Sequence, residues 1–127
     1  MLFRSDAYKL KTHTKSFDPN VTNIAIHIRR GDVKSAMYGR YTEMSFFTDI
    51  ARKLIIDGRR HNTCIHIYSD SKLDKDSTRE FNSIGKCIFH FNEDLLSSFH
   101  DMVQSDIFIG SIGSNMTHMI EIGRAHV

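Results

Sequence analysis

What the sequence has little of narrows its class first. No stretch approaches the roughly 20 consecutive apolar residues of a membrane-spanning helix. No signal peptide is visible at Met1, so any secretory signal would have to lie upstream. The net charge is only +2, and the basic residues are scattered rather than striped, which argues against a nucleic-acid-binding surface. There are two cysteines, Cys64 and Cys87. Each opens an apolar, strand-like run, so both read as small buried hydrophobes rather than a disulfide, and they leave the redox compartment open. Eight histidines are present, but no pair has metal-ligand spacing such as H-x-x-x-H. The single proline, Pro19, stands just before the first apolar run, and no repeat or low-complexity segment interrupts the chain.

What remains is an ordinary globular composition, with 40% hydrophobic and 25% charged residues in 127. That is one domain with enough chain to bury a core. Its centre is Ile24-Ala25-Ile26-His27-Ile28-Arg29-Arg30-Gly31-Asp32. The β-branched run suits a strand buried on both faces, and Gly31 marks where the chain leaves it. Two guanidinium groups are thereby delivered to the carboxyl end of a central strand, where open α/β sheets bind ligands. Arginine suits that place because its planar fork pairs bidentately with phosphate and stays charged. The alternatives are a structural ion pair of Arg29 or Arg30 with Asp32 or another carboxylate, closing a strand end, or an Arg-Gly-Asp adhesion tripeptide, which would need an exposed, mobile loop.

His27-x-Arg29-Arg30-x-Asp32 after a hydrophobic strand resembles the first donor-binding motif of the α-1,2, α-1,6 and protein O-fucosyltransferase superfamily. The resemblance spans roughly Val21 to Ile120. It implies that Arg29 holds the pyrophosphate of GDP-fucose as the catalytic residue, with Arg30 second or structural. It also implies that His27 seats the nucleoside and that Asp32 orients the arginines. Gly110-Ser111-Ile112-Gly113-Ser114-Asn115 resembles the family's last donor-binding turn, with Ser111, Ser114 and Asn115 at the matching polar positions. Ile112 and Gly113 depart from the usual serine-aromatic pair. Ser98, Phe99 and His100 fall near where relatives carry a guanine-contacting acid.

Taken in order, 1–20 is a lead-in segment and 21–121 the expected nucleotide-sugar-binding domain. Strands are expected at Thr22–Ile28, Cys64–Tyr68, Cys87–Phe91 and Ile107–Ile109. After the first strand, Lys34, Arg40 and Tyr41 lie in a loop near its end. Thr42 is the expected N-cap of a helix whose apolar stripe runs from Met44 through Phe47, Ala51 and Ile55 to a stop at Gly58. Ser69 and Asp70 end the second strand, positioned either to reach a ligand or to cap the next helix. A short helix is expected over Ser77–Phe81, and another is lined by Leu95, Leu96, Phe99, Met102 and Val103. Small polar residues before a last helix, beginning near Asn115, would let a phosphate approach its N-terminus. Asp74-Lys75-Asp76 matches the D-x-D pattern of metal-dependent sugar transferases, but in a charged, exposed segment. Asn20-Val21-Thr22 and Asn115-Met116-Thr117 match glycosylation sequons.

The tail from Glu121 to Val127 is the translation that GAG ATC GGA AGA GCA CAC GTC would give, a string that reads as a short-read sequencing adapter. Residues 122–127 are therefore expected to be adapter read-through, and a genomic product that encodes them natively would overturn this.

The alternation of strand and helix gives an α/β fold, a Rossmann-like doubly wound, mainly parallel sheet of about four strands. By resemblance it is the donor-binding half of a GT-B glycosyltransferase. The implied activity is inverting transfer of fucose from GDP-fucose to a glycan or glycoprotein hydroxyl, without a metal or other cofactor and without nucleic acid. The acceptor-binding half would lie N-terminal to this segment, which alone would be inactive. Relatives work in the secretory lumen if eukaryotic and in the cytoplasm if bacterial. Two other readings stand: a non-catalytic nucleotide-sugar- or phosphate-binding module or inactive remnant, and a transferase using another nucleotide sugar.

Overall fold

A computed structural model of the protein describes residues 17–30, 42–111 and 120. The described elements are β1 (Thr22–Ile28), α1 (Met44–Arg52), β2 (Thr63–Ser69), α2 (Lys75–Ile84), β3 (Cys87–Phe91), α3 (Leu95–Gln104) and β4 (Ile107–Gly110). A π-helical turn, Lys53–Asp57, extends α1 and closes with Gly58 N–H on the Lys53 carbonyl at 3.0 Å. The four strands are all parallel in the order β3-β2-β1-β4. This is a Rossmann-like doubly wound α/β sheet. Its order reverses between β1 and β4, the switch point at whose carboxyl end such sheets bind ligands.

The two faces of the sheet differ in chemistry because side chains alternate along each strand. One face is isoleucine: Ile24, Ile26, Ile28, Ile65 and Ile67 are all fully buried under Phe47, Ala51 and Ile55 of the first helix and Phe81 and Ile84 of α2. Each such burial contributes roughly 1.5–3 kcal/mol. The opposite face, under α3, is polar and aromatic. There β1 presents Asn23, Ala25 and His27, β2 presents Cys64, His66 and Tyr68, and β3 presents His90. Met102 and Val103 of α3, with Ile120, close over Ala25 and Tyr68. The register pairs Ile65 with Cys87, so Cys64 and Cys87 point to opposite faces and both thiols are free.

Several local expectations need correction. The N-cap of α1 is Glu43, not Thr42, and it makes no side-chain cap. Thr42 is instead buried one residue earlier, with its carbonyl turned toward Arg30. Helix α2 runs well beyond Ser77–Phe81 because Ile84 extends its buried edge by a turn. Gly58 ends the first helix without a left-handed φ. Its role is steric, since a Cβ there would lie 2.6 Å from the Leu54 carbonyl oxygen.

Candidate functional site at the carboxyl ends of β1 and β4

The last residues of β1 and the two arginines after it are held from both sides. On the β4 side the ladder ends at His27 and Gly110. Ser111 then takes the place of the next rung: its hydroxyl accepts the Arg29 backbone N–H at 3.1 Å and donates to the His27 carbonyl at 3.2 Å. On the β2 side, Asp70 accepts the Arg30 backbone N–H through Oδ1 at 3.0 Å. Two neighbouring strands thus fix the direction in which the chain leaves β1.

The two arginines have different surroundings. Arg30 curls back, Nη1 donating to the Arg29 carbonyl at 2.9 Å and Nη2 to the Thr42 carbonyl at 2.7 Å. That side chain ties the end of β1 to the residues just before α1. Arg29 is close enough to His27 for its charge to act on the imidazole. Ser111, nearly fully buried, has its one hydroxyl hydrogen on the His27 carbonyl, so in this arrangement it positions Arg29 rather than donating to a ligand. Asp32, Lys34, Arg40, Tyr41, Ser114 and Asn115 lie outside the described residues, as do the segments 1–16 and 122–127.

His27 faces a cleft of about 240 Å³ on the polar side of the sheet. The cleft is walled by Tyr68, Ser69 and Asp70 from β2 and by His90, Asn92 and Glu93 from β3 and its turn, with Ser98 and Met102 of α3 at the back. Complete small-molecule pockets run to roughly 300–1,000 Å³, so this volume takes one moiety of a larger ligand. Burial lowers the His27 pKa to about 4, a nearby Asp70 opposing and Arg29 adding to the effect. His27 is therefore a neutral imidazole at pH 7. Its Nδ1 is buried with no hydrogen-bond partner among the described residues. Buried polar atoms are rarely left so, and an unmet one marks a place for a ligand or water.

Beside the cleft, Tyr68 donates to Asp101 of α3 at 3.2 Å, and burial followed by the Asp101 charge pushes its phenol above the ordinary range. His66 and His90 lie against it. Of the sequence-derived site residues, the fold brings His27, Arg29, Arg30 and Ser111 to one strand end. Tyr68, His90 and Glu93 were missed. Their signal was the odd polar residue inside each apolar strand, Asn23, His66 and His90, which acquires meaning only when the parallel register stacks them on one face. Among the described residues, no group of three His, Cys, Asp or Glu side chains could hold a metal, and no helix is long and apolar enough to cross a membrane.

Replacing Ser111 by Ala removes both rungs, one hydrogen bond from the Arg29 N–H and one to the His27 carbonyl. The expected cost is about 1–3 kcal/mol, read as a lower urea midpoint. An unchanged midpoint would mean that the clamp does not hold in solution. Comparison of the chain with protein-family models, with curated proteins and with solved structures finds no match.

Proposed function

We propose that this domain is the nucleotide-sugar-binding half of an inverting glycosyltransferase, with GDP-fucose as donor and a glycan or glycoprotein hydroxyl as acceptor. The observation that carries the reading is the backbone of Arg29, clamped at the switch point by Ser111 of the β4 end while Asp70 of the β2 end holds its neighbour. Pre-organisation of that kind matters in transfer chemistry. The acceptor hydroxyl gives up its proton to a general base as its oxygen attacks the anomeric carbon, the bond to the β-phosphate oxygen breaks, and the departing diphosphate gathers charge that a fixed guanidinium stabilises. Arg29 takes that role. Arg30 braces the turn, and neutral His27 hydrogen-bonds the nucleoside through its otherwise unmet ring nitrogen. Support also comes from the His27-x-Arg29-Arg30-x-Asp32 pattern itself.

Calorimetric titration with GDP tests the reading. A charge-assisted hydrogen bond contributes roughly 1.5–3 kcal/mol, so Arg29→Ala should weaken binding ten-fold or more. Absence of saturable binding to the folded wild type, or equal binding by the variant, would overturn the assignment of Arg29.

A further inference from the structure

On the polar face, four side chains form an unbroken hydrogen-bonded chain from the start of β1 to the rim of the cleft. Asn23 begins it. Its Nδ2 donates to the Asp18 and Val21 carbonyls at 2.9 and 3.3 Å, which fixes Oδ1 as the atom facing His66 Nε2 at 3.2 Å. His66 Nδ1 meets His90 Nε2 at 3.1 Å. His90 Nδ1 meets both carboxylate oxygens of Glu93, at 3.0 and 3.1 Å. His66 and His90 are buried, whereas Glu93 is 46% exposed and reaches the cleft.

The hydrogens along this chain can be counted. Oδ1 of an amide and an ionised carboxylate only accept, so each of the three contacts needs one hydrogen from an imidazole. Two neutral imidazoles carry one each, which leaves the chain one short. We propose that the Asn23–His66–His90–Glu93 chain is a proton-holding device, in which one extra hydrogen resides between His90 and Glu93 and makes that pair electrically neutral. Release of the hydrogen places a carboxylate against a bare ring nitrogen, breaks the contact, and gives the cleft rim one more negative charge.

The surroundings favour the pair as the place for that hydrogen. Burial, then the His90 charge and then Lys86, hold the His66 pKa down to about 4, so His66 is not the ring that keeps the surplus. The Tyr68 ring lies 4.4 Å from that of His90 and within 10° of parallel, offering its π-face to an imidazolium. Behind it Asp101 of α3 accepts from the Tyr68 hydroxyl. Across the cleft stand His27 and Asp70. With the pair closed, an incoming anion meets the Asp70 carboxylate but no net charge from His90 and Glu93. For GDP this consequence rests on the donor-site reading above, whereas the hydrogen count does not.

Nitrogen-15 NMR of the histidine rings and carbon-13 NMR of the Glu93 carboxyl, followed from pH 5 to pH 9, test the proposal. At pH 7, His66 is expected as the neutral Nε2–H form, with either His90 protonated on both nitrogens or the Glu93 carboxyl protonated. One shared transition should appear at both residues on raising the pH. Glu93→Gln supplies the missing hydrogen from its amide, so the variant should show neutral His90 at pH 7 and lose the shared transition. An ionised Glu93 beside a neutral His90 at pH 7 would overturn the proposal, as would an unchanged His90 titration in the variant. GDP affinity should fall above the shared transition in the wild type and not in Glu93→Gln. Absence of GDP binding at every pH would count against the donor-site reading, while the NMR result would still decide the hydrogen count.

Discussion

Lowering the pH from 7 to 4 is expected to remove much of the stability of this fold. His27 and His66 are both held near pKa 4 by burial, against 6.5 for a free imidazole. The unfolded chain therefore binds more protons than the folded one between those two values. The sign follows: stability is full above about 6.5 and declines as the pH falls toward 4. Each histidine contributes about 3 kcal/mol across that interval. Two such losses rival the roughly 5–15 kcal/mol of a typical domain. Urea midpoints measured at steps through this range should fall steeply. A flat profile below pH 6.5 would show that neither ring is buried in its neutral form.

Phe47→Ala should cost about 3–5 kcal/mol, the range for emptying a fully buried phenylalanine site. Phe47 has no exposed surface and lies in the isoleucine cluster beneath β1, with Phe46 edge-on at 5.3 Å between ring centroids. The cavity would open under the helix whose N-cap, Glu43, directly follows Thr42, the residue whose carbonyl receives the Arg30 guanidinium. Looser packing there should reach Arg29 and Arg30 at the end of β1, so the GDP affinity proposed for that site should weaken along with the denaturation midpoint. A loss below about 1 kcal/mol would mean that the first helix does not pack on β1 as described.

How far the sequence could be read depended on where each residue's partner lies. β1 and β3 have the expected bounds because short apolar runs between turn residues carry their own signal. Helix α2 outruns its sequence signal, since its first six residues, from Lys75 to Glu80, are all polar and its burial rests on Ser77, Phe81 and Ile84. Thr42 looked like a cap by residue type. What displaced it is a long-range contact, the Arg30 guanidinium on its carbonyl, which no local rule contains. The arginine pair was legible as a motif, whereas its clamp was not: Ser111 hydrogen-bonds across 82 positions and Asp70 across 40. The cleft was the least legible part, because Tyr68, His90 and Glu93 come together only through strand register and one turn.

The clamp also bears on the order of events expected during folding. β1 sits between β2 and β4, and the partner that fixes the Arg29 amide arrives only when the last described strand docks. Closing so long a loop costs entropy that local contacts must offset beforehand, so pairing of β1 with β4 is expected to follow formation of the β1-β2-β3 body. The arginine turn is then among the last features to acquire its shape. Binding at the proposed donor site would therefore report whether the chain has finished folding, whereas helix content would already be high in a chain that has not.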